Sequence, residues 1–426
     1  MTTARPGATR KAAGRLLVNL LLAAASLAVA AALLEWAARA LVGRRRGALV
    51  TGHGSVSRYH PLLGWDKPPG TEVRLRRPEY DVEVKINAHG LRGPDRDYAK
   101  PPGVRRVLLL GDSFAEGYTV AEEASLRAVL ERALNGGGCG PQEVINAGIA
   151  AYSTDQEYLF FTHEAEKYGA DVVVLVFFYN DLYYNTAAAT VLGEAKPYFE
   201  LEGNRLVLKN SPVPPPEGDP LRVPETRPYR LKPWRGSMAL RLLSNRTAEG
   251  NPSLHRFLSR LGLVEPRRDE DPPIEMWPFG PPRPEVVDMW ARTHALLRAL
   301  AEEVRGRGAR LVVLYAPSRF EVNDRAWDLT RDRYHMGGRW RRDRVFDALA
   351  DVCRELSLPL VDPRAELRDA ESAGRGGYHP RDGHWNETGH AVAARVVAPA
   401  IAAQEGCRTF PGTSVHDDAL TVGTVR

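Results

Sequence analysis

At 426 residues, with 43% apolar and 26% charged residues, the chain has the composition of a globular protein and length for one large domain or two ordinary ones. The formal charge of +5 is carried by 50 Arg and only 8 Lys, and beyond the first fifty positions these alternate with acids, so no basic stripe marks a nucleic-acid surface. Three cysteines are too few for a disulfide framework and lack zinc spacing. Cys353 falls on the apolar side of a predicted helix, whereas a bridge between Cys139 and Cys407 stays open in an oxidising compartment.

Residues 16–34 carry no charge. As a helix they would span about 28 Å, close to the thickness of a bilayer core. Four basic residues lie on each side, Trp36 suits an interfacial anchor, and no small-x-small cleavage site follows. The reading is a leader over 1–15 and an uncleaved signal anchor over 16–36, in preference to a cleaved signal. Residues 47–103 form a tether and lead-in. Within it Tyr80, Val82, Val84 and Ile86 alternate with Asp81, Glu83 and Lys85, which predicts a half-buried strand.

From Val107 onward, apolar runs alternate with helical spacings. Val107–Leu110, Glu143–Asn146, Asp171–Phe178, Arg310–Tyr315 and Leu360–Asp362 read as strands. Helices are predicted from about Ala121 through Ala133, over 154–168, over 286–304 and over 345–356. Strands in such alternation imply a three-layer α/β/α domain with a five-stranded parallel sheet, here over 104–403. Residues 190–283, rich in Pro and Arg, break the rhythm and read as an insertion: a lid, a substrate wall or a spacer, with a short helix near Met238–Leu243. Residues 404–426 read as a flexible tail.

The chemistry-bearing residues sit where strands end. Gly111-Asp112-Ser113 leaves a serine hydroxyl at the carboxyl end of the first strand, the edge at which open α/β sheets bind ligands. Such a serine needs a base and an orienting group for that base. Asp382-Gly383-His384 offers both on one loop, just before a helix predicted to begin near Asn386. His390 with Glu387, Asp362 in place of Asp382, and a metal set of His379, Asp382, His384 and His390 are the alternatives.

Four blocks, Gly111-Asp112-Ser113-Phe114, Asn146-Ala147-Gly148, Tyr179-Asn180-Asp181 and Asp382-Gly383-His384-Trp385-Asn386, together resemble those of the SGNH (GDSL-type) hydrolases, in the same order. The resemblance covers roughly 104–188 and 285–402. It implies Ser113 as nucleophile, His384 as base and Asp382 as its partner. It also implies an oxyanion hole from the Ser113 and Gly148 N–H groups and the Asn180 side-chain amide, with no cofactor. The lead-in and the apolar N-terminal segment resemble a membrane-anchored bacterial branch. Asp-x-His is one residue shorter than the usual Asp-x-x-His, and with the following Trp it resembles enzymes that O-acetylate exported polysaccharides. Tyr179 stands where a small residue is more usual.

Three functions follow as expectations: an ester hydrolase acting on an acyl ester or O-acylated glycan, an O-acetyltransferase, or a non-catalytic glycan-binding protein on the same fold. The domain is expected outside the cytoplasm, because everything able to catalyse follows the apolar segment.

Overall fold

A computed structural model describes residues 57–190, 193–216 and 272–407, together with scattered positions within 19–36 and 254–263. The chain divides into two compact units. One comprises residues 1–49 and 227–269, the other 50–226 and 270–426. In the first, residues 28–36 are helical, with Val29, Leu33, Leu34 and Trp36 exposed. Among the described residues no helix is long and apolar enough to cross a membrane. Part of the expected anchor at 16–36, the helix near Met238–Leu243 and residues 408–426 lie outside the described residues.

The second unit opens with two antiparallel hairpins, β1 (Arg58–His60) with β2 (Gly64–Asp66), and β3 (Glu72–Arg76) with β4 (Asp81–Lys85). β4 is the strand expected from alternation, with Val82 and Val84 buried. Its partner β3 has Arg and Glu at three of five positions, so only Val73 and Leu75 hint at it.

The central sheet follows: β5 (Arg105–Gly111), β6 (Gln142–Gly148), β7 (Val172–Phe178), β10 (Arg310–Ala316) and β11 (Leu360–Val361). All pairings are parallel, in the order β11-β10-β7-β5-β6. The apolar runs arise because both faces are covered. Leu108, Leu110, Val173, Leu175 and Phe177 pack to one side with helices α3 (Thr154–His163), α5 (Pro284–Gly306) and α8 (Arg344–Glu355). Val107, Leu109, Val172, Val174 and Val176 pack to the other with α2 (Leu126–Gly136) and α10 (Glu387–Gln404). Cys353 is buried on α8, as its position predicted. Short helices α1 (Ser113–Glu116), α4 (Asp181–Tyr184), α6 (Arg319–Val322), α7 (Asp324–Arg333) and α9 (Arg364–Ser372) complete the set. The first helix of this unit thus begins at Ser113, well before Ala121.

The chain leaves β5 for the edge strand β6, then returns past β5 to β7. The crevice where this order reverses lies at the carboxyl ends of β5 and β7. Register pairs Gly111 of β5 with Gly148 of β6 and Val176 of β7, so the turns carrying Ser113, Gly148 and Asn180 adjoin.

The parts of the insertion described within this unit, 193–216 and 272–283, pack on this scaffold. β8 (Tyr198–Glu202) and β9 (Arg205–Lys209) form a hairpin with Phe199 in the core. Lys196, fully buried, bonds the Asp155 carboxylate and the carbonyls of Tyr184 and Pro197. A 3₁₀ turn over Ile274–Phe279 buries Met276 and Phe279. At the other end of the unit Cys407, assigned to the flexible tail, is disulfide-bonded to Cys139, which fastens the end of α10 to the loop between α2 and β6.

Candidate active site

Ser113 is the first residue of α1, and Asp112 is its N-cap, accepting from the Phe114 N–H at 2.8 Å. The cap fixes the turn that presents the serine. Burial pushes the Asp112 carboxyl up to about 6, against the lowering effect of that hydrogen bond. The far end of α1 is held as firmly. Glu116 is buried, meets Lys67 at 2.8 Å and accepts from the Ala150 N–H at 2.7 Å. The buried Arg92 donates to the Glu116, Gly117 and Val120 carbonyls. The lead-in therefore braces the helix on which the serine stands.

His384 Nε2 lies 2.7 Å from Ser113 Oγ, and Nδ1 lies 2.5 Å from Asp382 Oδ1. The two side chains are about a quarter exposed, at 24% and 23%. Gly383 has φ 88°, a left-handed conformation that suits glycine. The turn there lets a carboxylate only two residues away curl onto the imidazole, which is how the short Asp-x-His spacing still yields the pair. The loop closes through His379 N–H to the His384 carbonyl and Gly383 N–H to the His379 carbonyl, both 2.9 Å. Trp385, fully buried, packs edge-on against Phe114, and its carbonyl accepts from Thr119. Asn386 then caps α10, accepting from the Gly389 N–H. Phe114 and Tyr118 flank the His384 ring at 5.1 and 5.3 Å.

Burial acts to raise the Asp382 carboxyl, but the hydrogen bond and charge of His384 and the Tyr80 hydroxyl outweigh it and hold the group at about 2. Asp382 is thus an anion throughout the neutral range.

The alternative residues stand elsewhere. His390 is buried and accepts from the Leu126 N–H through Nδ1, while burial and the nearby Arg92 lower its pKa to about 3. Asp362 is bound to Arg364 at 2.9 Å. His379 stacks on Tyr80 at 5.1 Å between centroids.

The Gly148 N–H donates to Asn146 Oδ1 at 3.0 Å. A Cβ here would sit 2.5 Å from the Glu116 nitrogen and 2.6 Å from Ala115 Cβ, so glycine is required by the approach of α1. Asn180 precedes α4, with its side-chain oxygen buried and free of any protein partner. Tyr179 packs on Phe279 and Phe320 at 5.1 and 5.7 Å, joining the end of the insertion to the wall of the site.

Sequence reasoning missed Glu79 and Tyr80. Glu79 accepts from the Arg381 and Asp382 N–H groups, and Tyr80 donates to Asp382 Oδ2 at 3.1 Å. Alternation marked Tyr80 as a strand residue, but nothing in the sequence points 302 residues downstream.

No curated protein matches the chain. Solved structures that resemble it include TesA, at 12% identity, covering 70% of this chain and 99% of that one with a TM-score of 0.35. A lipase/acylhydrolase from Enterococcus faecalis shows 13% identity, 71% and 96% coverage and a TM-score of 0.35. A catalytic mutant of an acetylxylan esterase from Geobacillus stearothermophilus shows 12% identity, 72% and 97% coverage and a TM-score of 0.35. The GDSL-like lipase/acylhydrolase family model matches residues 109–392, a span that holds Ser113, Asp382, His384 and all but the first residues of the central sheet. By that match the chain belongs to the GDSL-like lipase/acylhydrolase family and is an ester hydrolase.

Proposed function

We propose that the protein is a membrane-anchored serine esterase that cleaves acyl esters outside the cytoplasm through an acyl-serine intermediate. The observation that carries the reading is His384, within hydrogen-bond reach of Ser113 on one ring nitrogen and of Asp382 on the other. Ser113 Oγ attacks the ester carbonyl while His384 Nε2 accepts its proton. Asp382 holds the tautomer with Nε2 free and stabilises the imidazolium. The tetrahedral oxyanion is met by the Ser113 N–H, which as the first of a helix has no intrahelical acceptor, and by the Asn180 side-chain amide. Gly148 N–H is a third donor by sharing its hydrogen with Asn146. Collapse expels the alcohol, which takes the proton back from His384. Water, activated by the same base, then releases the acid.

Two features support the location. The charge-free 16–34 segment has bilayer length, and its residues 28–34 are helical with Val29, Leu33 and Leu34 exposed. A disulfide between Cys139 and Cys407 suits an oxidising compartment. Both fit an acyl ester or an O-acylated glycan of the envelope as substrate. The Asp-x-His spacing favours a second reading, in which a sugar hydroxyl replaces water as acyl acceptor. The test of the shared chemistry is covalent labelling by a fluorophosphonate. Labelling is expected on the wild type and absent from Ser113→Ala; label retained on that variant would overturn the acyl-serine mechanism. Supplying an acyl donor with a polysaccharide then separates the readings, by whether the acyl group reaches sugar or water.

A further inference from the structure

The Asp382 carboxylate divides its two oxygens between different parts of the chain. Oδ1 takes His384 Nδ1, whereas Oδ2 takes the Tyr80 hydroxyl at 3.1 Å, from the residue just before β4. One residue earlier, Glu79 accepts from the Arg381 N–H at 2.9 Å and from the Asp382 N–H at 2.9 Å. The turn between β3 and β4 therefore grips the catalytic loop at backbone and side chain together. Both gripping residues precede the span matched by the family model, which begins at residue 109.

A carboxylate held at one oxygen is still free to turn about its own χ2. Holding the second oxygen fixes the plane, and the first is then aimed at one ring nitrogen. This matters most on a loop, where the supporting residues set how far a side chain wanders. The grip rests on a rigid base. Tyr80 is buried with Leu75, Val82, Val84, Ile86 and Tyr118 in a cluster of its own, and its ring packs on His379. Tyr118 from that cluster also packs on the His384 ring.

We propose that Tyr80 and Glu79 are positioning residues for the Asp382–His384 pair, so that the lead-in hairpin is a working part of the active site. Glu79 fixes the backbone of the loop and Tyr80 orients the carboxylate. The assignment rests on Asp382 and His384 acting with Ser113 as described above. Facing the Asp382–His384 pair are Tyr80 and Glu79 from the hairpin, whose Arg77 acts on Tyr80, Tyr118 from beyond α1, Asp112 beside Ser113, and His390 from α10.

The test uses the full chain in detergent with p-nitrophenyl acetate. Tyr80→Phe keeps the ring and its packing and removes only the hydroxyl. It is expected to lower kcat about tenfold, the worth of one hydrogen bond to a charged group, with KM changed less than about twofold. Fluorophosphonate labelling, which reads activation of the Ser113 hydroxyl directly, should slow by the same factor. Glu79→Ala should lower kcat as well, and Glu79→Gln, which keeps an acceptor oxygen, should restore most of it. Wild-type kcat and an unchanged labelling rate in Tyr80→Phe would overturn the assignment. So would a lowered unfolding temperature or a raised KM that accounts for the whole loss, which would make Tyr80 a packing residue only. Ser113→Ala separates the two levels. If that variant remains active, the triad itself falls; if it is dead while Tyr80→Phe matches wild type, only the positioning role falls.

Discussion

His390 accepts a hydrogen bond from the Leu126 N–H through Nδ1 at 3.2 Å, while His384, six residues earlier on the chain, meets Ser113. Leu126 opens α2, where the first N–H groups have no intrahelical acceptor, so the buried imidazole satisfies a helix start. The two histidines should therefore separate cleanly by substitution. His384→Ala should lower ester turnover by at least about 10³, as removal of a triad member does. His390→Ala should leave an unsatisfied N–H and a cavity, costing about 2–4 kcal/mol in urea unfolding, with turnover following the folded fraction. The reverse ranking would transfer the base to His390. Acid adds a second check. In the unfolded chain the ring takes a proton below 6.5, whereas burial delays this to about 3 in the folded protein. Its contribution to stability is full above 6.5 and is lost as pH falls toward 3. Unfolding free energy should fall more steeply across that window in wild type than in His390→Gln.

The central sheet was legible because burial on both faces leaves an unbroken apolar run, as in Val172–Phe178. Ser113, Asp382 and His384 were legible for a related reason: each lies in a small-residue turn bounded by a strong element. The hairpin β8–β9 was not, since its strands are only half-buried and charged residues hold many positions. Residues 113 and 384 were linked by chemistry that demands a base. Glu79 and Tyr80 answer no such demand, and alternation reads Tyr80 only as part of the apolar face of its strand. The Asn146 side chain that accepts from the Gly148 N–H was also out of reach, because that contact depends on a rotamer.

Lys67 and Glu116 form an ion pair at 2.8 Å with side chains 3% and 0% exposed, at the end of the helix that Ser113 begins. Removing one partner of such a pair leaves a charge in the interior and typically costs about 3–5 kcal/mol. Lys67→Met should lose stability on that scale in urea unfolding. Because α1 is only four residues long, the serine turn should loosen with it and residual turnover should drop further than the folded fraction. A variant as stable as wild type would show that Lys67 does not brace the helix.

Asn180 offers a different kind of effect. Its amide has no capping bond in α4, and in the proposed mechanism it engages only as negative charge gathers on the carbonyl oxygen. Asn180→Ala should therefore lower kcat by about 10²–10³ while KM stays near wild type. A raised KM at unchanged kcat would assign Asn180 to ground-state binding and leave the oxyanion to backbone donors.

The disulfide provides the test of compartment. Cys139 and Cys407, 268 residues apart, are bonded, and Cys353 is free and buried on α8. An extracytoplasmic domain predicts that the bond exists in the cell, not only in purified protein, because cytoplasmic thiols are kept reduced. Cells are quenched in acid, the protein is denatured without reductant, and free thiols are tagged with a polymer-bearing maleimide that retards migration. The chain holds three cysteines, so a native bridge should give one tag, on Cys353, and prior reduction should give three. Cys139→Ser should raise the unreduced count to two and lower stability by about 2–5 kcal/mol, the usual cost of losing a bridge that closes a long loop. Three tags without reductant would place the domain among reduced thiols, and the proposal of an envelope ester as substrate would fall with it.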